Sequence, residues 1–158
     1  MMSIFYDKMI WYRLLTVLLD WLGTPYAHFK MDKKRGADCA LFIAACLKEI
    51  GILKNIAYKY YPRFWHKFTE TEVILNHITG SINENIKKGY RLVNVNKNNL
   101  TKGDIIIFSI RSKVSNHVAL YLGNNLITHS INGRGVCIVP LSNEYKNRIT
   151  NNFRIVRV

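Results

Sequence analysis

Apolar residues recur at helical spacing from Ile4 to Leu22, and Gly23-Thr24-Pro25 ends the run, so the chain opens on an amphipathic helix. Asp38 is a natural N-cap for a second helix over Cys39 to Ile50, which Gly51 closes. Ala44, Ala45 and Leu47 leave that helix small and apolar on most sides, which predicts burial. The spacing predicts a third helix from Thr69 to about Thr79, with a possible continuation toward Ile86 beyond Gly80-Ser81. The second half changes period. Asp104 to Ile110 is a continuous apolar run led by Thr101-Lys102-Gly103, followed by strands over His117–Leu122, Leu126–Ser130, Val136–Leu141 and Phe153–Val158. Gly123-Asn124-Asn125, Asn132-Gly133 and Ser142-Asn143 are the turns between them, and polar Asn94 to Asn99 reads as a surface loop. Helices first and antiparallel strands after predict an α+β fold. With 158 residues, no linker, no repeat and no low-complexity tract, residues 1–158 form one domain.

Composition narrows the picture. The stretch Met9 to Leu22 is interrupted by Arg13 and Asp20 and does not qualify as a membrane span. It also lacks the clean apolar centre and small-residue cleavage site of a signal peptide, so export is expected to depend on something other than a leader. The three cysteines, Cys39, Cys46 and Cys137, include no CxxC pair, which argues against a disulfide framework and a structural zinc site; no metal or other cofactor is expected. Cys46 and Cys137 read as small apolar residues. The net charge of +13 favours a polyanionic partner such as nucleic acid, an anionic membrane or an anionic cell wall. The charge is scattered, and Lys33-Lys34-Arg35 is its one triple. An AT-rich coding sequence, enriching Lys, Asn and Ile together, accounts for the excess equally well.

The candidate chemistry rests on Cys39, His117 and His129. His117, Ala119 and Tyr121 share one face of their strand. A three-residue loop at Gly123-Asn124-Asn125 pairs Ala119 with His129 and brings both histidines to that face; a two-residue Asn124-Asn125 turn puts His129 opposite Leu120, on the other. The catalytic reading requires the first register, and it requires the Cys39 helix to cover the histidine face. Helix-terminal amides and an imidazolium then stabilise a thiolate, while the Asp38 carboxylate opposes it unless capping occupies it. His129 orients His117 from its far side. His28, His66 and His77 read as surface or local residues.

These residues resemble the NlpC-type cysteine peptidases, papain-like hydrolases of bacterial peptidoglycan. The likeness is carried by Leu22-Gly23-Thr24-Pro25-Tyr26, by Asp38-Cys39 opening an apolar helix, by Lys102-Gly103-Asp104-Ile105-Ile106-Ile107-Phe108, and by His117 through Gly123 followed by His129. It implies a papain-like core with N-terminal helices packed on a C-terminal antiparallel sheet. It further implies Cys39 as nucleophile, His117 as base, His129 as orienting residue, and Tyr26 sharing the oxyanion with the Cys39 amide. Asp38 becomes a capping residue that can also contact the free amine of a stem peptide. Trp21 through Tyr26, Tyr60-Tyr61-Pro62 with Trp65, Arg148, and Phe153-Arg154 resemble the phage and prophage tail-associated branch. The resemblance implies cleavage of the γ-D-glutamyl to diamino acid bond, with tail proteins as possible partners and the cell wall reached through a phage-like particle. Many members carry Ser-Gly after the cysteine, where this chain has Ala40-Leu41. The segment Tyr58 to Lys67 either lines the cleft or connects helices. Alternatives are a muramoyl-L-alanine amidase, a lipid acyl hydrolase or transferase, and a non-catalytic tail-assembly or nucleic-acid-binding protein.

Overall fold

The computed structural model describes residues 1–158. Asp7 caps α1 (Lys8–Trp21) by accepting from the amides of Met9 and Ile10. Its stripe of Trp11, Leu14, Leu18 and Trp21 is buried, each such side chain contributing about 1.5–3 kcal/mol. A short ribbon follows, β1 (Met31–Asp32) and β2 (Gly36–Ala37), and leads into α2 (Cys39–Glu49). As the small apolar sequence predicts, α2 is the central helix, buried from Cys39 through Ala44 and again at Cys46 and Leu47. It packs between α1 and the main sheet.

The third helical region begins later than its spacing predicts. Here α3 (Val73–Asn76) passes through a π-helical turn (His77–Ser81) into α4 (Ile82–Asn85), so the Gly80-Ser81 interruption widens the helix without ending it. The main sheet comprises β3 (Tyr90–Asn94), β4 (Ile105–Phe108), β5 (His117–Gly123), β6 (Leu126–Ile131), β7 (Gly135–Pro140) and β8 (Ile149–Arg157), with α5 (Asn143–Lys146) before the last strand. Its order is β3-β8-β4-β5-β6-β7, antiparallel throughout. Strand β3 escapes the sequence analysis because it is an edge strand, half-exposed along its length, with no clear alternation to read.

The sheet separates two apolar layers. Ile105, Ile107, Val118, Leu120, Phe153 and Ile155 face the helices and join the main core. Ile106, Phe108, Ala119, Ile127 and Leu141 form a smaller cluster on the other face, against which Tyr145 packs. Cys46 is a fully buried core residue, Cys137 is half-buried on β7, and all three cysteines are free thiols. No helix is long and apolar enough to cross a membrane.

Candidate active site

The segment that leads into Cys39 is held from three sides. The carbonyl of Ala37 accepts from Ser130 Oγ on β6 at 2.7 Å, and the Ala37 amide donates to the Pro25 carbonyl at 2.9 Å. The Asp38 amide donates to the Lys30 carbonyl at 3.1 Å. Asp38 then caps α2, Oδ1 accepting from the Leu41 amide at 2.8 Å. Its Oδ2 accepts from the Phe29 amide at 3.1 Å and from the Tyr61 hydroxyl. Asp38 is thus buried, with three donors on its two oxygens. This is the capping role read from the sequence, plus two partners that local sequence does not reveal.

The hairpin carrying the histidines reaches the required register by an unexpected route. The turn is the two-residue Asn124-Asn125, both residues at positive φ (51° and 60°), with Gly123 paired to Leu126. That turn alone would put His129 on the wrong face. A bulge between Tyr121 and Gly123 absorbs Leu122, so Tyr121 pairs with Ile127 and Leu120 with Thr128. The same register continued sets His129 beside Ala119. His117 Nε2 lies 2.8 Å from His129 Nδ1, both rings buried, the pair bounded by Phe108 and Tyr145.

One expectation is corrected. Helix α2 does not cover the face that carries the histidines; it packs on the Val118 and Leu120 face, while His117 and His129 project toward the second apolar layer. Strand alternation forces this, because Val118 and Leu120 fill the contact with α2. The Cys39 thiol comes to β5 at the strand's beginning, where the Val118 amide favours its charged form, one residue beyond His117. The Asn116 side chain clamps the turn before that point, donating to the Ile110 carbonyl at 2.9 Å and accepting from the Ile110 amide at 2.8 Å.

The resting protonation state also differs from the thiolate expected at a helix start. Burial pushes the Cys39 thiol up to about 12, the Asp38 charge adds to the shift, and the amides of Val118, Ala40 and Cys39 only partly oppose it. Burial and the neighbouring His129 hold His117 down at about 3; burial and Arg134 hold His129 at about 4. At neutral pH the site therefore rests as a thiol and two neutral imidazoles. Burial raises the Tyr26 phenol, reinforced by Cys39 and Asp38 and opposed by Arg63, so its hydroxyl stays protonated as a donor.

A cleft of about 210 Å³ opens over Cys39, lined by Tyr26, Asp38, Tyr61, Arg63, Trp65 and Asn116 among others. The Tyr58 to Lys67 segment is thus a cleft wall at Tyr61, Arg63, Phe64, Trp65 and His66. Two histidines set aside in the sequence also belong to it: His66, and His28, whose Nε2 lies 2.7 Å from the Tyr61 carbonyl oxygen. Sequence reasoning missed Ser130 and the Tyr61 contact with Asp38. No local motif marks either, since both act across long stretches of chain.

A cysteine on the first turn of a central helix, packed on an antiparallel sheet that carries a hydrogen-bonded histidine pair, defines the class of papain-like thiol-histidine folds. Residues 23–155 match the model of the NlpC/P60 family, and the chain belongs to that family. It is 28% identical over 132 residues to a protein of Haemophilus influenzae described as a probable endopeptidase NlpC homolog. That match covers 84% of this chain and 55% of the relative, so the chain spans about half the length of the curated protein it matches. Among solved structures, an NlpC/P60 family protein from Bacillus cereus superposes with a TM-score of 0.59 at 26% identity, over 89% of this chain and 38% of that one. The NlpC/p60 domain of the peptidoglycan hydrolase SagA superposes with a TM-score of 0.55 at 17% identity, over 89% of this chain and 95% of that domain. This second likeness concerns the fold.

Proposed function

We propose that this chain is a cysteine peptidase that hydrolyses amide bonds in peptidoglycan stem peptides. One observation carries the proposal: Cys39 opens α2 inside the cleft, beside the first peptide of β5, while the adjoining His117 has its Nε2 committed to His129. Nδ1 is the ring nitrogen left to receive a proton. The family and the endopeptidase-like relative support the reading.

In the first step Sγ of Cys39 bonds to the scissile carbonyl carbon as the thiol proton passes to His117 Nδ1. For Nδ1 to accept, Nε2 must carry hydrogen and donate to His129 Nδ1, which fixes both tautomers. The oxyanion receives hydrogen bonds from the Cys39 amide and from Tyr26, whose hydroxyl makes no hydrogen bond within the protein. His117 returns the proton to the amine nitrogen as the C–N bond breaks, leaving a thioester on Cys39. Water then attacks the thioester with His117 as base, releasing the carboxylic acid and restoring the thiol. Because the resting pair is neutral, attack and proton transfer are coupled.

At finer grain, we assign the γ-D-glutamyl to diamino acid linkage as the bond cut, with Tyr26, Asp38 and Arg63 among the polar groups that face it. We place the work at the cell wall, with delivery by a phage-like tail particle as the setting. The test is digestion of purified peptidoglycan by wild type and Cys39→Ala, with fragments read by mass spectrometry. New peptide ends with wild type alone support the reading, and their masses name the bond. Walls of several chemotypes left intact by folded protein overturn it. Salt-sensitive DNA binding that survives Cys39→Ala would then favour the nucleic-acid alternative.

A further inference from the structure

A second, larger concavity of about 780 Å³ adjoins the Cys39 cleft, and Tyr61 and Trp65 line both. Its size suits a ligand of several rings. The π-helical turn lines it at His77, Gly80 and Ser81, and beyond the helix's own backbone nothing lies within 4 Å of the point a Cβ at Gly80 would occupy. Its rim carries two aromatic rings held in water, Tyr60 at 68% exposure and Phe68 at 85%. Tyr60 is braced in place by its edge contact with Phe29, ring centroids 5.1 Å apart. Between the rings stand polar side chains with hydrogen-bonding capacity to spare: Thr71, Asn76 and His77 make no side-chain hydrogen bond within the protein.

The charge of this groove selects among ligands. In a chain of net charge +13, the groove's lining carries one formal cation, Lys59, and one formal anion, Glu84. A polyanion has nothing to gain there over the rest of the surface. A lipid chain would strand the polar side chains without partners. A neutral ligand with apolar C–H faces and many hydroxyl or amide groups satisfies both sets at once, the faces lying on the flat rings and the polar groups on the side chains between them.

We propose that this groove is a saccharide subsite, which seats the amino-sugar strand of peptidoglycan while the attached stem peptide enters the Cys39 cleft across the shared Tyr61–Trp65 wall. The inference rests on the peptidoglycan reading and extends it: the substrate class is a glycan-attached stem peptide and not a free one.

The test compares kcat/KM for a soluble disaccharide-tetrapeptide and for the same tetrapeptide free of sugars and N-acetylated, so that neither presents a free α-amine to Asp38, using wild type and the Phe68→Ala/Asn76→Ala double variant. Both residues are exposed and outside the catalytic cleft. Wild type is expected to favour the sugar-bearing substrate about tenfold, through KM. The double variant loses that preference and keeps the wild-type rate on the free tetrapeptide. Equal kcat/KM for the two substrates with wild type, or a preference untouched by the double variant, overturns the subsite. Cleavage of neither substrate by wild type counts against the peptidase reading alone. The groove is then judged by NMR titration of Cys39→Ala protein with N-acetylglucosamine oligomers: shifts at His77, Gly80 and Ser81 that vanish on adding Phe68→Ala/Asn76→Ala uphold it, and no shifts at millimolar oligomer overturn it.

Discussion

Cys39, His117 and His129 are all buried, and that sets what each would contribute in the proposed mechanism. A His117 that accepts a proton at Nδ1 needs an acceptor for its Nε2–H, and His129 supplies one at 2.8 Å. His129→Ala leaves a buried Nε2–H unpaired and the ring free to turn; kcat is expected to fall about 100-fold or more. His129→Asn, which retains a carbonyl acceptor, is expected to recover part of that loss while KM stays near the wild-type value in both variants. Steady-state kinetics on a stem-peptide substrate would check the split. The resting thiol has a separate signature. With Cys39 pushed up to about 12 and His117 down to about 3, no ion pair forms at neutral pH. Thiolate absorbance in the far ultraviolet, taken as wild type minus Cys39→Ser, is expected to be absent at neutral pH and to emerge only in strong alkali. A thiolate band at neutral pH would mean that the site is already ionised.

At the scale of elements, two residues of the Lys102 to Phe108 stretch have structural work here. Gly103 sits at φ 89°, and an added Cβ would lie 1.9 Å from the Phe5 ring. Asp104 is fully buried and forms a two-point pair with Arg154, Nε to Oδ1 at 2.8 Å and Nη2 to Oδ2 at 2.7 Å, while Arg154 also donates to the carbonyls of Met1 and Asn99. This joins the start of β4 to β8 and to the N-terminal residues. Gly103→Ala is expected to cost about 2–4 kcal/mol from forced positive φ and overlap together. Asp104→Ala, which strands the guanidinium, is expected to cost about 3–5 kcal/mol. Urea denaturation would read both. A paired Asp104→Leu/Arg154→Met variant should be markedly milder than Asp104→Ala, because it removes the buried charge along with its partner.

Across the whole molecule, the buried histidines make stability depend on acid. Both have folded values below the ordinary 6.5, at about 3 and about 4, so the unfolded chain takes up protons first as pH falls. Their contribution is intact above about pH 6.5 and is lost progressively on acidification toward those folded values. Because the two rings are hydrogen-bonded to each other, the loss belongs to the pair and not to either ring alone. Asp38, raised by burial, works the other way, since its folded form is protonated more readily than its unfolded one and so resists acid. Melting temperatures between about pH 7 and about pH 4.5 should fall for wild type and fall less steeply for His117→Gln/His129→Gln. Equal slopes would remove the histidine pair as the cause. Charge is distributed with similar economy. Within the basic triple, Lys33 bridges Asp20 on α1 and Glu49 on α2 at 2.7 Å each, so this residue fastens two helices and is not a free binding patch.

Sequence by itself determined the elements whose signals are local: the cap at Asp38, the buried period of α1 and α2, five of the six main-sheet strands, and the order of Tyr26, Cys39, His117 and His129 along the chain. Those signals are legible because a helix face, a cap or a pleat is written in residues a few positions apart. The edge strand β3 was not legible, since pairing on one side imposes little pattern. Tertiary structure alone decided the rest. The bulge at Leu122 set the face of His129, and packing against Val118 and Leu120 put α2 on the sheet face away from the histidines. The Tyr61 and Ser130 tethers to Asp38 and Ala37 span 23 and 93 residues. Protonation followed the same division: residue identity named a thiol and two imidazoles, but their neutrality comes from burial, which exists only once distant segments have closed around them.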